Sequence, residues 1–141
     1  MTNIEIIDKT KEYVKNKLEG EVSGHDWWHI LRVYNNALDI AEKEGECDIF
    51  TIELSALLHD IADWKFNDGN LDKGSEISKT FLSELGVDKG IISHVSDIVK
   101  NISFKGANVK NTITTKEGMI VQDADRLDAI GAIGIGRAFL R

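Results

Sequence analysis

Residues 54–61 read Leu-Ser-Ala-Leu-Leu-His-Asp-Ile, and this stretch decides the predicted fold. Its apolar residues recur every three or four positions, which is the period of one face of an α-helix: Leu54, Leu57, Leu58 and Ile61. We predict a helix over about 49–61. Because the residues on both sides of His59-Asp60 are apolar, we expect the helix end that carries this polar pair to be buried.

The same periodicity recurs along the rest of the chain. It predicts helices over 3–19, 25–44, 72–85 and 88–102, and a last helix that starts near Thr114 and carries apolar residues as far as Ile130. The chain has no proline, so nothing forces a break inside a helix. Strand signals are scarce. The predicted class is therefore all-α, a bundle of about six or more helices.

Length and charge limit the functions open to this chain. Its 141 residues fit one domain over 1–141. A net charge of −7 disfavours binding to long DNA or RNA, which rewards a basic surface. No apolar run is long enough for a membrane span. The single cysteine, Cys47, excludes an internal disulfide and fits a cytoplasmic location.

Three predicted helices each bring metal-binding side chains to an apolar face. His59-Asp60 lies at the end of the third helix, His29 lies on the second helix, and Asp123 and Asp125 lie on the sixth. Residues two apart on a helix point about 200° away from each other, so only one of these two aspartates can face a shared ion. Imidazoles with carboxylates suit a divalent ion such as Mn²⁺, Fe²⁺, Co²⁺, Ni²⁺ or Zn²⁺, with Mg²⁺ also open.

Four blocks of this sequence together resemble a known family. They are Ser-Gly-His-Asp-Trp-Trp-His-Ile-Leu-Arg-Val (23–33), Ala-Leu-Leu-His-Asp-Ile-Ala-Asp-Trp-Lys-Phe (56–66), Ile-Ser-Phe-Lys-Gly (102–106) and Val-Gln-Asp-Ala-Asp-Arg-Leu-Asp-Ala-Ile-Gly-Ala-Ile-Gly-Ile (121–135). In this order they are similar to the blocks of small bacterial proteins of the HD-domain phosphohydrolase superfamily. The resemblance implies an all-helical fold and hydrolysis of phosphoesters or phosphoanhydrides, often those of nucleotides.

The resemblance also selects among the candidate ligands. The family's first ligand stands three residues before Arg in His-x-x-Arg-Val, which favours His29 over His25. The family's Ala-Asp-Arg-Leu pattern favours Asp125 over Asp123. The implied ligand set for a divalent metal ion is thus His29, His59, Asp60 and Asp125.

Other residues are implied to line the cleft around the ion. Asp63 is expected to orient or deprotonate the attacking water, and together with Asp60 and Lys65 it forms the implied catalytic set. Phosphate contacts are expected from the basic residues Arg32, Lys65 and Lys105. His25, at the predicted start of the second helix, is a further candidate for contact with substrate. The expected partner is a small phosphorylated molecule, most simply a nucleotide.

Two alternatives to hydrolysis stay open. One is an HD module that binds a nucleotide without turnover, and the other is a di-iron oxygenase of the HD type, which needs ligands beyond these four. We expect the chain to end inside a helix, at Phe139-Leu140-Arg141, whereas proteins of the resembled group usually continue with further helices. A truncated domain would expose apolar surface and favour self-association, in its simplest form a homodimer.

Overall fold

The computed structural model describes residues 1–19, 27–62, 72–103 and 113–139. These ranges contain six α-helices and no strand: α1 (Asn3–Glu19), α2 (Trp27–Glu44), α3 (Ile49–Leu58), α4 (Lys73–Glu84), α5 (Lys89–Ser103) and α6 (Lys116–Phe139). The prediction of an all-α bundle is confirmed. No helix in the described part of the chain is long and apolar enough to cross a lipid bilayer.

Helix α3 is the centre of the bundle. It packs against α1, α2, α5 and α6. Of its ten residues, eight are buried: Phe50, Thr51, Ile52, Leu54, Ser55, Ala56, Leu57 and Leu58. The spacing of the apolar residues predicts a single apolar face for α3, but a helix that is buried on almost every side belongs in the interior. The end of α3 therefore delivers its last side chains to the middle of the molecule.

Hydrogen bonds close both ends of α3. At the N-terminus, Asp48 accepts hydrogen bonds from the amide and the hydroxyl of Thr51, at 3.3 and 2.7 Å. At the C-terminus the helix ends at Leu58, and the predicted extension to Ile61 is wrong. The amide of Ile61 instead donates to the carbonyl of Leu58 at 3.1 Å, which closes a tight turn. His59 and Asp60 therefore stand at the turn rather than on a regular helix.

The remaining helices hold α3 from two sides. Helices α2 and α6 pack closely against each other and both contact α3, while α4 packs on α5. Gly86 follows α4 with a φ of 75°, the left-handed conformation that glycine commonly adopts just after a helix C-terminus. There the amides of Val87 and Gly86 donate to the carbonyls of Leu82 and Ser83, both at 3.1 Å. The junction of α2, α3 and α6 is where the predicted ligands lie.

Candidate metal centre

Three helices supply the side chains that meet at this junction. His29 comes from the first turn of α2, His59 and Asp60 from the turn after α3, and Asp125 from the middle of α6. His29, His59 and Asp125 each offer one atom, and these three atoms all lie within 4.8 Å of one another. Each residue sits near the buried stripe of its own helix, so packing of the apolar faces brings the polar groups together.

In this group of four side chains, two imidazole nitrogens each lie close to the same two carboxylate oxygens. Nε2 of His29 and Nε2 of His59 each lie 3.3 Å from the same oxygen, Oδ2 of Asp60. Both nitrogens also lie 3.4 Å from Oδ1 of Asp125. Adjacent atoms that surround one ion at about 2.0–2.2 Å lie roughly 3.0–3.5 Å from each other. The four measured separations have this size.

His59 is held so that only one of its nitrogens faces the cluster. Only 2% of the His59 surface is exposed. Nδ1 donates a hydrogen bond to the carbonyl of Ala56 at 2.6 Å, because a carbonyl can only accept. Nε2 is buried and has no hydrogen-bond partner among the described residues, although it faces two carboxylates. An unpartnered imidazole nitrogen at this depth is costly unless a proton or a cation joins it to those oxygens.

His29 is oriented by a residue that sequence reasoning missed. Its Nδ1 lies 2.7 Å from Oδ2 of Asp128, which is one turn beyond Asp125 on α6. Arg32, one turn beyond His29 on α2, donates to both oxygens of the same carboxylate, from Nε at 2.6 Å and from Nη2 at 3.3 Å. Both partners of Asp128 thus lie on the neighbouring helix α2.

The missed contact had a signal in the sequence. Asp125 and Asp128 are three residues apart, so they lie on the same face of a helix and point toward the same neighbour. His29 and Arg32 have the same spacing on α2. When two helices with such pairs pack together, both residues of one pair are able to contact the other pair. The family's ligand pattern names only His29 and Asp125, so it does not reveal the contact between Arg32 and Asp128.

The carboxylates dominate the electrostatics of the centre. Hydrogen bonds that the protonated ring donates to Asp125 and Asp60, reinforced by one to Asp128, outweigh burial and raise the pKa of His29 to about 10. Burial lowers the pKa of His59, but the Asp60 and Asp125 carboxylates overcome it and raise this pKa to about 9. The hydrogen bond from Arg32 holds the pKa of Asp128 below its usual value. Without an ion, both imidazoles of the cluster are therefore in their positively charged, doubly protonated form at neutral pH.

These observations fit a divalent metal ion. The donor set is two imidazole nitrogens and two carboxylate oxygens, all turned toward one another. The two nitrogens not turned toward the cluster are both engaged, Nδ1 of His59 by a backbone carbonyl and Nδ1 of His29 by a carboxylate. Metal-binding histidines have this second hydrogen bond almost always.

The structure also separates the two aspartates of α6. Asp125 is buried at 7% exposure and faces both histidines, whereas Asp123 is exposed to solvent. The helical angle between them accounts for this difference. The structure thus brings together all four residues of the predicted ligand set, and the binding of an ion by them stays a prediction.

Several predicted cleft residues lie outside the described residues: His25, Asp63, Lys65 and Lys105. The expected phosphate contact of Arg32 stays a prediction; its side chain is 54% exposed and is bonded to Asp128.

His94 is half-buried and its Nε2 lies 2.9 Å from the hydroxyl of Thr115, just before α6. Trp28, next to His29 on α2, is 63% exposed.

The fold and the ligand geometry define a class of protein. The model of the HD domain family matches residues 27–130, a range that includes all four predicted ligands. The chain belongs to the HD domain family.

Particular relatives are similar over nearly the whole chain. The YpgQ protein of Bacillus subtilis (strain 168) is 40% identical over 99% of this chain and 68% of its own length. An HD-superfamily hydrolase from Bacillus thuringiensis has a crystal structure that superposes with a TM-score of 0.76 at 43% identity, over 99% of this chain and 65% of that one. The crystal structure of Bacillus subtilis YpgQ in complex with ADP superposes with a TM-score of 0.67 at 38% identity, over 99% of this chain and 66% of that one. This chain thus spans about two thirds of the length of these relatives.

Proposed function

We propose that this chain is a divalent-metal-dependent phosphohydrolase whose substrate is a nucleotide or a similar small phosphorylated molecule. One observation carries the proposal: Nε2 of His29 and Nε2 of His59 face the same two oxygens, from Asp60 and Asp125, at 3.3–3.4 Å. The family membership and the similarity to a solved HD-superfamily hydrolase support hydrolysis as the reaction class.

A divalent ion at this site supplies two things, polarisation of a phosphoryl oxygen and activation of a water molecule. The protein's part is to hold the donors in place. His59 keeps its proton on Nδ1 through the Ala56 carbonyl, which leaves the Nε2 lone pair available for the ion. His29 and Asp60 are the more exposed members, with 23% and 17% of their side chains accessible, so substrate approaches from their side.

A nucleotide is the proposed substrate for two reasons. A solved relative, YpgQ of Bacillus subtilis, forms a complex with ADP. The protein has a net charge of −7, so its surface in general repels anions. A bound cation would offset the carboxylates of this site and make it suitable for the phosphate groups of a nucleotide. On the resemblance alone, Asp63 is proposed to orient or deprotonate the attacking water, and Lys65 and Lys105 to contact phosphate oxygens.

The test combines metal loading with a product-resolved screen. The protein is loaded with Mn²⁺, Co²⁺, Ni²⁺ or Mg²⁺ and incubated with nucleoside tri-, di- and monophosphates. Chromatography then distinguishes release of phosphate from release of pyrophosphate. Asp60→Ala is the test variant and Asp123→Ala the matched control, because Asp123 is exposed and does not face the cluster.

We expect the wild type and Asp123→Ala to turn over at least one nucleotide only with metal, and Asp60→Ala to lose both metal and turnover. A folded Asp60→Ala variant that keeps full metal content and full turnover contradicts the proposal. Nucleotide binding by the metal-loaded wild type without product would instead identify a binding module. Iron content with an oxo-bridged di-iron optical spectrum would identify an oxygenase.

A further inference from the structure

The ring of His29 is held from two sides. Nε2 faces Asp60 and Asp125, while Nδ1 lies 2.7 Å from Oδ2 of Asp128. An ionised carboxylate only accepts hydrogen bonds, so the proton of the neutral ring must be on Nδ1. This arrangement leaves the lone pair on Nε2, the nitrogen that faces the other ligands. The Asp128 contact therefore selects the tautomer that an ion requires.

Asp128 is itself held in place. Arg32 donates to Oδ1 from Nε at 2.6 Å and to Oδ2 from Nη2 at 3.3 Å. Such a two-point contact fixes the plane of the carboxylate as well as its position, which a single lysine amine does not do. The Asp128 side chain is only 10% exposed, whereas the Arg32 side chain is 54% exposed. A part-buried carboxylate is thus oriented by a cation that reaches it from the protein surface.

We propose that Asp128 is the positioning residue of His29, and that Arg32 acts on the metal centre through Asp128. The chain of contacts runs from Arg32 to the Asp128 carboxylate, then to Nδ1 of His29, and through the ring to Nε2. The resemblance implies that Arg32 contacts substrate phosphate, whereas in this proposal Arg32 orients Asp128. The inference rests on the proposed metal centre, but not on the proposed hydrolysis.

The sign of one effect separates positioning from simple electrostatics. Removing a positive charge near a cation site strengthens cation binding on Coulomb grounds. If Arg32 positions His29 through Asp128, its removal instead weakens binding, because the carboxylate loses its fixed orientation. Loss of a group that orients a metal-binding histidine typically weakens metal affinity about 10–100-fold.

A purely structural role makes a different prediction. The Arg32–Asp128 ion pair joins α2 to α6, so its removal can destabilise the fold without any effect on the histidine ring. The thermal unfolding midpoint measures that contribution. The tautomer of His29 and the affinity of the folded protein for metal do not depend on it, so these two quantities test positioning.

The experiment is a double-mutant cycle on Mn²⁺ affinity. The variants are Arg32→Ala, Asp128→Ala and the double variant, with Asp123→Ala as the control on α6 and Arg32→Lys as the conservative variant. Mn²⁺ alone is titrated into each folded protein and followed by electron paramagnetic resonance. Long-range ¹H–¹⁵N correlation spectra of the metal-free proteins, recorded above the pKa of the imidazoles, report which ring nitrogen of His29 carries the proton.

We expect Asp128→Ala to weaken Mn²⁺ binding about 10–100-fold and to shift His29 away from the Nδ1-protonated form. Arg32→Ala should weaken binding less, Arg32→Lys less still, and the double variant no more than Asp128→Ala. Wild-type affinity and an unchanged His29 tautomer in folded Asp128→Ala overturn the inference, and so does tighter Mn²⁺ binding in Arg32→Ala. If the wild type binds no metal ion, the inference fails with the proposed metal centre; if it binds Mn²⁺ without hydrolysing nucleotides, only the proposed reaction fails.

Discussion

Nε2 of His59 lies 3.4 Å from Oδ1 of Asp125, although the two residues belong to different helices and are far apart in the sequence. Both side chains are buried, at 0% and 9% side-chain exposure. A buried imidazole and a buried carboxylate at this distance need a shared proton or a shared cation. This contact is therefore the most direct place to test for an ion.

Replacement of Asp125 by asparagine should remove that ion. Asp125→Asn keeps nearly the same volume and loses the charge, so we expect metal content to fall from one equivalent toward none and Mn²⁺ affinity to drop at least about tenfold. Elemental analysis and a Mn²⁺ titration measure both quantities.

Asp123→Asn is the matched control, since it makes the same chemical change two residues away at an exposed position. It should bind metal as the wild type does. Equal metal affinity in the two variants would contradict the assignment of Asp125 as a ligand.

Metal binding should release protons. The pKa of His29 is raised to about 10 and that of His59 to about 9 in the metal-free protein, so both rings are protonated at pH 7.5. An ion takes the place of those protons, and its apparent affinity therefore increases with pH up to about pH 9–10. Calorimetric titration of Mn²⁺ in two buffers with different ionisation enthalpies counts the protons released. A binding enthalpy that is the same in both buffers would contradict this prediction.

The same pKa shifts set the stability of the metal-free protein. A histidine with a pKa raised above its usual 6.5 binds protons more tightly in the folded state than in the unfolded state. That stabilisation is complete below about pH 6.5 and is lost as the pH rises through about 9 and 10. We expect the thermal midpoint of the metal-free protein to fall over this range. The thermal midpoint of the metal-loaded protein should fall less over the same range. His59→Gln is the control, because it lacks one of the two titrating rings.

The position of α3 makes a prediction about stability. Leu57 is 0% exposed at the centre of the bundle, so Leu57→Ala should lower the free energy of unfolding by about 2–5 kcal/mol through lost burial and a residual cavity. Ile4→Ala is the control, because Ile4 is 75% exposed and its truncation should change stability by less than about 0.5 kcal/mol. Urea unfolding followed by circular dichroism measures both. A small loss for Leu57→Ala would argue against a central α3.

Gly86 offers a test of backbone conformation without any side-chain contact. Its φ is 75°, and a Cβ at this position would meet nothing within 4 Å. Gly86→Ala should therefore cost about 1–2 kcal/mol through the left-handed conformation alone. Gly86→Asn should cost less, because asparagine tolerates this region, and Ser83→Ala on exposed helix surface should be nearly neutral. Urea unfolding checks the order of the three variants.

The sequence predicted the helices well because their apolar residues keep a regular period. It misplaced the end of α3, since the period continues to Ile61 and no glycine or proline interrupts it. The observed end depends on hydrogen bonds at the turn, from Ile61 to Leu58 and from His59 to Ala56. Local periodicity does not contain that information.

The proximity of the four proposed ligands was predictable for a different reason. Apolar periodicity placed His29, His59 and the α6 aspartates on buried faces, and the choice of Asp125 over Asp123 came from family resemblance. Asp128 was missed because its partners, His29 and Arg32, lie on another helix. Contacts between helices depend on how α2 and α6 pack, which a pattern along one helix does not specify.

The proposed ligands come from α2, from the end of α3 and from α6, so the candidate site depends on residues distributed over most of the chain. During synthesis on the ribosome, His29 and His59 emerge well before Asp125. A growing chain that has not yet exposed α6 lacks two of the carboxylates at this junction, Asp125 and Asp128. Tight metal capture should therefore be a late step of biogenesis, which protects the nascent chain from holding an ion in an incomplete site.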